Sequence, residues 1–319
     1  MQKLNDQLGR EIDYLRISIT DRCNLRCRYC MPAEGVDNKA HQDILSYEEI
    51  LKIVETGIEM GIKKIRITGG EPLVRLGVED FIADLNKLNL KDISMTSNAV
   101  LLAKKAKKLK KSGLDRVNIS LDSLDREKFK KITRRDNLAQ VLKGIKAALR
   151  AGLNPVKLNV VVMKGINDDE LFDFVELSRQ KKLSIRFIEY MPLGGEAEAE
   201  KFISSKEIKK LIQQRYELFP TVTKGNGPAN YFKIEGAAGT IGFISALSEH
   251  FCSSCNRLRL TADGKFKPCL AGNQEVKISG ISRKEIEAAY RKALEIKPAC
   301  HNLNFNKQNY SRNMSQIGG

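Results

Sequence analysis

Residues 14–32 read YLRISITDRCNLRCRYCMP, an apolar strand-like run followed at once by three cysteines within eight positions. In the run, Leu15 and Ile17 alternate with Arg16 and Ser18, and this period of two predicts a β-strand with one apolar face. The cysteines lie directly after the strand, at the carboxyl end where barrel and α/β active sites assemble. The stretch therefore predicts chemistry placed on the end of a sheet.

The composition limits what kind of protein this is. The chain has 319 residues, of which 42% are hydrophobic and 29% are charged, enough for one large domain or two modest ones. It opens without a signal-peptide pattern, and no segment approaches the roughly 18 apolar residues of a membrane span, so we expect a cytosolic (cytoplasmic) protein with no membrane partner. Disulfides are rare in the cytosol, where clustered cysteines more often bind metal or carry out redox chemistry.

The chain is basic, with 55 lysines and arginines against 39 acidic residues and a formal net charge of +16. Such a charge favours polyanions or phosphorylated ligands. The densest lysine run, residues 104–111, alternates with Leu102, Ala106 and Leu109 at helical spacing, which predicts an amphipathic helix with a solvated face rather than a nucleic-acid surface. The chain also lacks tryptophan and is only 6% aromatic, which counts against base stacking, so we expect no nucleic-acid partner.

From residue 14 the chain alternates short β-rich runs with helix-length segments. Six strands separated in this way imply a parallel sheet. The first helix is expected to begin at Ser46, because Glu49 follows three residues later in a capping-box pattern. The six runs are YLRISIT, KIRIT, DISMTS, RVNISLD, VKLNVVVM and LSIRFIEY.

Each of these strands has one polar face, which parallel strands normally lack because helices cover one side of the sheet and a packed core fills the other. The simplest geometry is an open or incomplete barrel with helices outside and a polar lumen. The alternative is a sheet with one face open to solvent. Unpaired cations in a lumen are costly, so an anionic ligand such as a polyphosphate should neutralise them. The lumen cations would be Arg16, Lys64, Arg66, Lys157 and Arg186.

The spacing Cys23-x3-Cys27-x2-Cys30 suits a cubane cluster. Three thiolates leave one iron of a [4Fe–4S] cluster without a protein ligand, and such an open iron can bind a substrate. A structural zinc site is the alternative, but it needs a fourth ligand, and the nearest candidate, His41, is a weak one.

This spacing resembles the signature of the radical S-adenosylmethionine (SAM) superfamily. The sequence GGEP at residues 69–72 resembles the superfamily's methionine-binding segment, which also follows the second strand. The resemblance implies that the open iron chelates SAM and that one electron from the cluster cleaves it to methionine and a 5′-deoxyadenosyl radical. The cofactor would supply the radical chemistry, while the protein would orient the reactants and exclude water.

A second three-cysteine set, Cys252-x2-Cys255 with Cys269, lies in the later part of the sequence. A zinc ribbon with His250 as fourth ligand is one interpretation of this spacing.

Two arginines beside the second set favour a different interpretation. Arg257 and Arg259 lie two apart on a predicted strand and share a face next to the thiols. This fits an anionic ligand bridged to a metal site better than a closed structural zinc. Cys300 stands alone in the sequence, and we expect a buried, inert thiol there.

The whole chain resembles one family within the superfamily, the GTP 3′,8-cyclases (molybdenum cofactor biosynthesis protein A). The resemblance runs through LGREIDYLRISITDRCNLRCRYCMP, KKIRITGGEPLVR, GLDRVNISLDSLD, VKLNVVVMKGIND, IRFIEYMP and CSSCNRLRL to the tail Gly318-Gly319. It implies an α/β fold, an incomplete (β/α)6 TIM-type barrel over residues 1–200. A C-terminal region over residues 201–319 would carry a second iron–sulfur cluster and the glycine tail.

Enzymes of this family are radical SAM lyases with two [4Fe–4S] clusters at opposite ends of the barrel, so the resemblance implies these clusters and SAM as cofactors here. It implies conversion of GTP to (8S)-3′,8-cyclo-7,8-dihydroguanosine 5′-triphosphate, the first step of molybdenum cofactor (molybdopterin) biosynthesis. It also implies an electron donor, a downstream cyclic pyranopterin monophosphate synthase, and a homodimer as an allowed assembly.

The resemblance assigns roles to individual positions. The first cluster would be held by Cys23, Cys27 and Cys30, and the second, whose open iron would contact guanine, by Cys252, Cys255 and Cys269. SAM would contact the Tyr29 backbone, Gly70, Ser120 and Met191. GTP would contact Arg16, Lys64, Arg66, Thr96, Lys157, Arg186, Arg257, Leu258 and Arg259. Gly318 and Gly319 would reach into the active site as catalytic residues.

Two places depart from the family pattern. Ala99 stands where we expect a glycine, which matters if that turn needs a positive φ. The acidic loop MPLGGEAEAEK, residues 191–201, lacks the aromatic residue expected there.

Two rival functions stay open. A peptide-modifying radical SAM enzyme with an auxiliary cluster predicts further cysteines and a peptide-recognition domain. A non-enzymatic iron–sulfur sensor that binds nucleic acid predicts a helix-turn-helix or a contiguous basic face, and no use for GGEP.

Overall fold

The computed structural model describes residues 3–37, 39–193, 198–225, 227–305 and 311–318. Within them lies one sheet of twelve strands. Its strands are β1 (Tyr14–Ser18), β2 (Lys64–Thr68), β3 (Asp92–Ser97), β4 (Arg116–Ser120), β5 (Val156–Val162), β6 (Leu183–Glu189), β7 (Phe219–Thr221), β8 (Asn230–Lys233), β9 (Thr240–Ile244), β10 (Arg257–Leu260), β11 (Lys265–Lys267) and β12 (Val276–Lys277).

The first six strands are parallel and adjacent in chain order, which confirms the predicted parallel sheet. β9 pairs parallel to β6 and β10 pairs parallel to β1, so both extend the six-strand unit at its edges. The strands outside them are antiparallel to their neighbours. The order β12-β11-β10-β1-β2-β3-β4-β5-β6-β9-β8-β7 has two free ends, so the fold is the incomplete barrel that was predicted. The division at residue 200 stays a prediction.

Helices connect the strands. Their bounds are α1 (Tyr47–Glu59), α2 (Val78–Asn86), α3 (Leu102–Lys111), α4 (Arg126–Thr133), α5 (Leu138–Arg150), α6 (Leu171–Gln180), α7 (Ser205–Gln213), α8 (Arg283–Glu295) and α9 (Met314–Ile317). The predicted capping box opens α1, because Ser46 Oγ accepts from the N–H of Glu49 at 3.1 Å and the Glu49 carboxylate accepts from the N–H of Ser46 at 2.7 Å. Across the described ranges, every helix is too short or too polar to cross a lipid bilayer.

The lysine-rich segment forms α3, as predicted. Leu102, Ala106 and Leu109 are buried on one face, and most of the lysines lie exposed on the other. The run is therefore the solvated side of an amphipathic helix.

The two faces of the sheet differ as the alternation predicts. Leu15, Ile17 and other apolar residues of the strands are fully buried in the main hydrophobic core, where each such side chain stabilises the fold by about 1.5–3 kcal/mol. The polar face is enclosed as well, since Arg66 is 6% exposed and Lys157 and Arg186 are each 2% exposed. The alternative of a solvent-exposed polar face is therefore wrong, and the sheet encloses a polar lumen.

Candidate active site

The two cysteine sets lie at opposite ends of the sheet, and strand direction explains why. Cys23 follows β1 at its carboxyl end, whereas Cys255 precedes β10 at its amino end. Because β10 is parallel to β1, with Arg259 paired to Arg16, these two ends point in opposite directions. β11 runs antiparallel to β10 and brings Cys269 back to the end that holds Cys255. The polar lumen lies between the two sets.

The GGEP loop shapes the first cysteine loop by close backbone contact. The N–H of Gly70 donates to the carbonyl of Thr20 at 2.7 Å, and the N–H of Glu71 donates to that of Arg22 at 2.8 Å. A Cβ on Gly69 would lie 2.6 Å from the Thr20 carbonyl oxygen, and one on Gly70 would clash with the Arg22 carbonyl. Only glycine permits this approach, which explains the paired glycines of the motif.

Glu71, which has no role in the sequence-based prediction, ties the loop after β2 to the end of β3. Its carboxylate accepts hydrogen bonds from the N–H of Leu73 at 3.0 Å, from Ser97 Oγ at 2.9 Å and from the N–H of Asn98 at 2.6 Å. Burial raises the pKa of Glu71 to about 7, although these three hydrogen bonds favour the charged form. Asn98 directs its amide nitrogen toward the Cys23 sulfur at 3.8 Å. The carboxylate thus positions a residue that touches a predicted cluster ligand.

The three thiols of the first loop are partly buried and close enough for their charges to interact. Burial raises the pKa of Cys23 to about 11 and that of Cys30 to about 12. Burial, followed by the neighbouring Cys30, also raises the pKa of Cys27 well above its ordinary value. A thiol with a raised pKa is neutral on its own and loses its proton when it binds a metal ion, so these values are compatible with an iron–sulfur ligand set but do not indicate one. His41 is exposed and belongs to no three-residue group of ligating atoms in the described ranges, so the zinc alternative gains no support.

The positions predicted to contact SAM gather at the same end of the sheet. Tyr29 lies within the cysteine loop, Gly70 follows β2, Ser120 ends β4 and Met191 follows β6. The Tyr29 hydroxyl donates to Asp122 Oδ2 at 2.7 Å, which fixes the loop against the end of β4. Burial raises the pKa of Asp122 to about 6. Asp122 ends the fourth β-rich run, RVNISLD, and has no role in the sequence-based prediction.

Lys297 organises the second cysteine loop. Its Nζ donates to the carbonyls of Arg257 at 2.9 Å and Pro268 at 2.7 Å, and it lies 3.7 Å from Cys255 Sγ. Burial by itself would raise the pKa of Cys255, but the charges of Arg257 and Lys297 outweigh burial and lower that pKa to about 7. This thiol is partly ionised at neutral pH, as a metal ligand should be. No local motif marks Lys297 in the sequence.

Cys300 is exposed, so the prediction of a buried thiol there is wrong. The chain after α8 folds back onto the second cysteine loop, and the guanidinium of Arg10 joins the two segments. It donates to the carbonyl of Cys252 at 2.7 Å and to that of Pro298 at 2.8 Å. Cys300 consequently lies beside Cys252 and His250.

Three arginines lie side by side across the lumen. Arg259 of β10 pairs in register with Arg16 of β1, which pairs with Arg66 of β2. Burial and then neighbouring cations lower the pKa of Arg66 and that of Arg259 to about 10. Burial, followed by the charges of Arg259 and Arg66, also lowers the pKa of Arg16 well below its ordinary value. An anion between these groups would relieve their repulsion, so the strip is suited to a polyanion.

A second polar group lines β4, β5 and β6. Lys157 Nζ donates to the Tyr231 hydroxyl at 2.8 Å, and Arg186 Nη2 donates to Asn118 Oδ1 at 2.8 Å. Burial, followed by the charges of Arg186 and Arg116, lowers the pKa of Lys157 to about 6. The lysine is therefore mostly neutral at pH 7 until an anion comes to its side.

Several buried polar atoms of the lumen have no hydrogen-bond partner within the described ranges. They lie on four neighbouring strands: Thr96 Oγ1 on β3, Arg116 Nη1 on β4, Asn159 Oδ1 on β5 and Arg186 Nε on β6. Buried polar groups in folded proteins are nearly always hydrogen-bonded. These atoms therefore indicate that the lumen takes a polar ligand.

The side chains of two further predicted GTP contacts, Lys64 and Leu258, are engaged by the protein itself. Lys64 forms an ion pair with Asp13 at 2.7 Å, and the Leu258 side chain is fully buried in the hydrophobic core, so Leu258 can meet a ligand only through its backbone. Arg116 was not predicted, yet it faces the lumen and forms a two-point ion pair with Asp92, with N–O distances of 2.8 and 2.6 Å. It shares the parity of the polar face of β4, so the alternation pattern contained this signal.

Residues 311–318 turn back into the lumen. Arg259 Nη1 donates to the carbonyl of Gly318. Gly318 has a φ of +68°, and a Cβ there would clash with the side chain of Thr68, so this packing requires glycine. Gly319, the other predicted catalytic residue, lies outside the described residues.

The turn at Ala99 adopts the conformation that glycine prefers, with a φ of +62°. A left-handed conformation costs an alanine roughly 1–2 kcal/mol. The departure from the family pattern therefore adds strain next to Asn98. In the acidic loop of residues 191–201, residues 194–197 lie outside the described ranges.

The chain matches known proteins over nearly its whole length. The model of the radical SAM superfamily matches residues 17–178, and that of molybdenum cofactor synthesis C matches residues 183–303. A GTP 3′,8-cyclase of Petrotoga mobilis is 55% identical, covering 98% of this chain and 99% of the relative. A GTP 3′,8-cyclase of Thermodesulfovibrio yellowstonii is also 55% identical, covering 92% and 94%. Among solved structures, Streptococcus suis SuiB has a TM-score of 0.65 at 16% identity, covering 89% of this chain and 67% of that one, a likeness of fold alone.

Proposed function

Because this chain belongs to the radical SAM superfamily and, within it, to the GTP 3′,8-cyclase family, we propose that it is a radical SAM lyase acting on GTP. The product is (8S)-3′,8-cyclo-7,8-dihydroguanosine 5′-triphosphate, and the reaction is the first step of molybdenum cofactor biosynthesis. One observation carries the proposal: a lumen of buried cations runs between two sets of three cysteines at opposite ends of the sheet. Such a lumen joins a site for SAM to a site for a nucleoside triphosphate.

The donor sets suit the two [4Fe–4S] clusters of the family. Each set offers three thiols, which leaves one iron of a cluster open to a further ligand. When bound, the first cluster and SAM supply the 5′-deoxyadenosyl radical that begins the reaction. The first set is Cys23, Cys27 and Cys30, and the second is Cys252, Cys255 and Cys269.

The residues of the chain bind the substrate and keep water out. The strip of Arg259, Arg16 and Arg66 supplies adjacent guanidinium groups for the triphosphate, since arginine pairs with phosphate through two parallel hydrogen bonds. Lys157 adds a further charge once a phosphate lies beside it. The bond from Arg259 to the Gly318 carbonyl holds the C-terminal segment at the lumen.

The proposal is tested under anaerobic conditions. Iron and sulfide are reconstituted into the protein, SAM and a reductant are added, and 5′-deoxyadenosine is measured with GTP, with ATP and without nucleotide. We expect deoxyadenosine to rise with GTP alone and a cyclised nucleotide to form in step with it. Cleavage of SAM without any dependence on GTP, and with GTP unchanged, would leave a radical SAM enzyme but exclude the cyclase.

Further parts of the proposal concern the surroundings of the enzyme. The product would pass to cyclic pyranopterin monophosphate synthase, a reductant would supply electrons to the clusters, and the protein would act in the cytoplasm, where a homodimer is one allowed assembly. Co-purification of the synthase and the molecular mass in solution test the first and last of these points.

The two rival functions give different results in the same assay. A peptide-modifying enzyme would cleave SAM in response to a peptide and ignore GTP. A sensor without enzymatic activity would bind DNA in an electrophoretic mobility-shift assay and form no deoxyadenosine.

Removing either arginine of β10 that flanks the second loop is expected to weaken GTP binding. Arg257→Ala and Arg259→Ala each delete charge-assisted hydrogen bonds, which corresponds to about a 10- to 100-fold loss of affinity. Iron content should stay unchanged, because neither residue is a cluster ligand. Equilibrium dialysis without reductant measures this, with Arg283→Ala, an exposed arginine of α8, as the control. Unaltered affinity in both variants would contradict the assignment.

GTP binding is expected to take up a proton at Lys157. The free-state pKa is about 6, and a triphosphate beside the amine raises it, so between the two pKa values binding must protonate the lysine. Affinity should therefore fall as pH rises from 7 to 8, by up to about tenfold. Below pH 6 the lysine is already charged and this dependence disappears.

Titration calorimetry in two buffers of different ionisation enthalpy measures this uptake. The control is Lys157→Arg, which stays charged throughout and cancels the contribution of the phosphate's own titration. Equal proton uptake in the two proteins would exclude Lys157 as the site.

A further inference from the structure

We propose that His250, Cys252 and Cys300 form a zinc site that competes with the second iron–sulfur cluster for Cys252. The zinc site itself depends only on these three side chains. Its competition with the second cluster depends on the proposed function, in which Cys252 is a cluster ligand. The zinc site weighed in the sequence analysis was a different one, a zinc ribbon of Cys252, Cys255 and Cys269 with His250, and the arginines beside it disfavoured that interpretation.

The three ligating atoms are already gathered. One nitrogen of His250 and the sulfurs of Cys252 and Cys300 all lie within 4.8 Å of one another. Zinc binds sulfur at about 2.3 Å and nitrogen at about 2.0 Å, so its tetrahedral ligands sit about 3.3–3.8 Å apart. The group fits one metal ion after small side-chain adjustments. A cubane cluster would instead spread its cysteines over separate iron atoms.

The chemistry of the three donors favours zinc. Two thiols and one imidazole are ligands that zinc prefers, and calcium and magnesium prefer oxygen. With three protein ligands, the fourth position would be held by water. The site is on the surface, since His250 and Cys300 are both exposed, so a metal ion can reach it directly.

The buried side chain of Arg10 holds Cys300 next to Cys252. Arg10 is 9% exposed, is paired with Asp6, and binds carbonyl oxygens of both segments, including those of Cys252 and Pro298. A buried ion pair that joins two chain segments fixes their relative position. The two thiols are therefore neighbours because of this clamp rather than through a chance contact of surface side chains.

A second histidine supports the first. His250 Nδ1 lies 3.1 Å from His301 Nε2, a contact of the kind that orients the ring of a metal-binding histidine. His301 is one residue from Cys300, so the segment that brings the second thiol also brings this support. His301 is a positioning residue in the proposal, not a ligand.

Sharing Cys252 makes the two metal sites mutually exclusive. A thiolate bound to zinc at the surface cannot at the same time ligate the cluster that also needs Cys255 and Cys269. Zinc bound at Cys252 before iron is supplied would therefore slow the loading of the second cluster. The first cluster, which shares none of these residues, would load normally.

The metal site is tested on the full-length, iron-free protein, with circular dichroism to show that each variant keeps its fold. Cobalt(II), which reports thiolate ligation through its charge-transfer band, is titrated and then displaced with zinc. We expect Cys300→Ser and His250→Ala to bind one metal equivalent fewer, or to weaken it roughly 100-fold, and His301→Ala to weaken it roughly tenfold. His41→Ala, which alters the remaining histidine, should behave like the unaltered protein. An unchanged titration in both Cys300→Ser and His250→Ala would overturn the site.

The competition is tested by loading iron and sulfide with and without one prior equivalent of zinc. We expect prior zinc to reduce iron incorporation by up to about half, the share of one cluster of two, and to have no such effect in Cys300→Ser. Full iron loading despite zinc bound at the site would overturn the competition. GTP-dependent cleavage of SAM is measured separately, so failure of the proposed cyclase function and failure of the zinc site give different results.

Discussion

Replacing Cys27 with serine is expected to abolish the cleavage of SAM and to lower the iron content by about half. The reason lies in the ligand set, because the first loop offers three thiols and a cubane cluster with an open iron needs all of them. Cys27 is the thiol whose pKa burial raises well above its ordinary value, so without metal it is a neutral group, and we expect serine, which is also neutral and close in size, to leave the fold intact. Deoxyadenosine formation and iron analysis measure the two effects.

Cys255→Ser is the matched variant at the other end of the lumen. It should lower iron by a similar amount while leaving the first cluster able to cleave SAM, so that deoxyadenosine still forms but no cyclised nucleotide appears. Equal loss of SAM cleavage in both variants would contradict the proposal that the first cysteine set alone supports SAM cleavage and the second serves the nucleotide.

Replacing Glu71 with alanine is expected to lower the free energy of unfolding by about 3 kcal/mol or more and to weaken SAM binding. The substitution leaves three donors without their acceptor, the N–H groups of Leu73 and Asn98 and the hydroxyl of Ser97. It also releases Asn98 from its position against Cys23. Urea unfolding followed by circular dichroism gives the free energy, and equilibrium dialysis of SAM gives the affinity.

Glu170 is the control for this experiment. It is likewise buried, and its carboxylate accepts from Ser123 Oγ at 2.7 Å and from the N–H groups of Leu124 at 2.6 Å and Asp125 at 3.2 Å. Glu170→Ala should therefore cost similar stability without loosening the GGEP loop. If both variants lost SAM binding equally, the effect of Glu71 would be one of general stability and not of the site.

Strand alternation predicted most of the fold because each strand of the barrel obeys one local rule. Side chains of a strand alternate between faces whatever the rest of the chain does, so Arg16, Arg66 and Arg186 could be placed in the lumen without any knowledge of tertiary structure. The cysteine spacing and GGEP worked for the same reason, since each motif is contained within a single loop. Arg116 was missed although it follows the same rule.

The residues that sequence reasoning could not find act across long distances in the chain. Lys297 and Arg10 bind carbonyl oxygens, and a backbone acceptor leaves no trace in the sequence that would name its donor. Tyr231 reaches Lys157 from a short strand with no motif. The exposure of Cys300 depends on how residues 298–301 cross the second loop, a tertiary arrangement that its local sequence does not encode.

The contacts of Arg10 also affect the order in which the two cysteine loops can form while the chain is being synthesised. The first cysteine loop is closed by bonds from the N–H groups of Arg26 and Arg28 to the carbonyls of Thr133 and Ile132, so its frame is available once less than half of the chain has emerged. The second loop depends on bonds from Arg10 that span 242 and 288 residues. Contacts between such distant residues form late. Both segments must have been synthesised, and closing so long a loop costs more conformational entropy than closing a short one. A growing chain can therefore present a finished first loop well before its second one exists, and the two iron–sulfur sites become ready at different times.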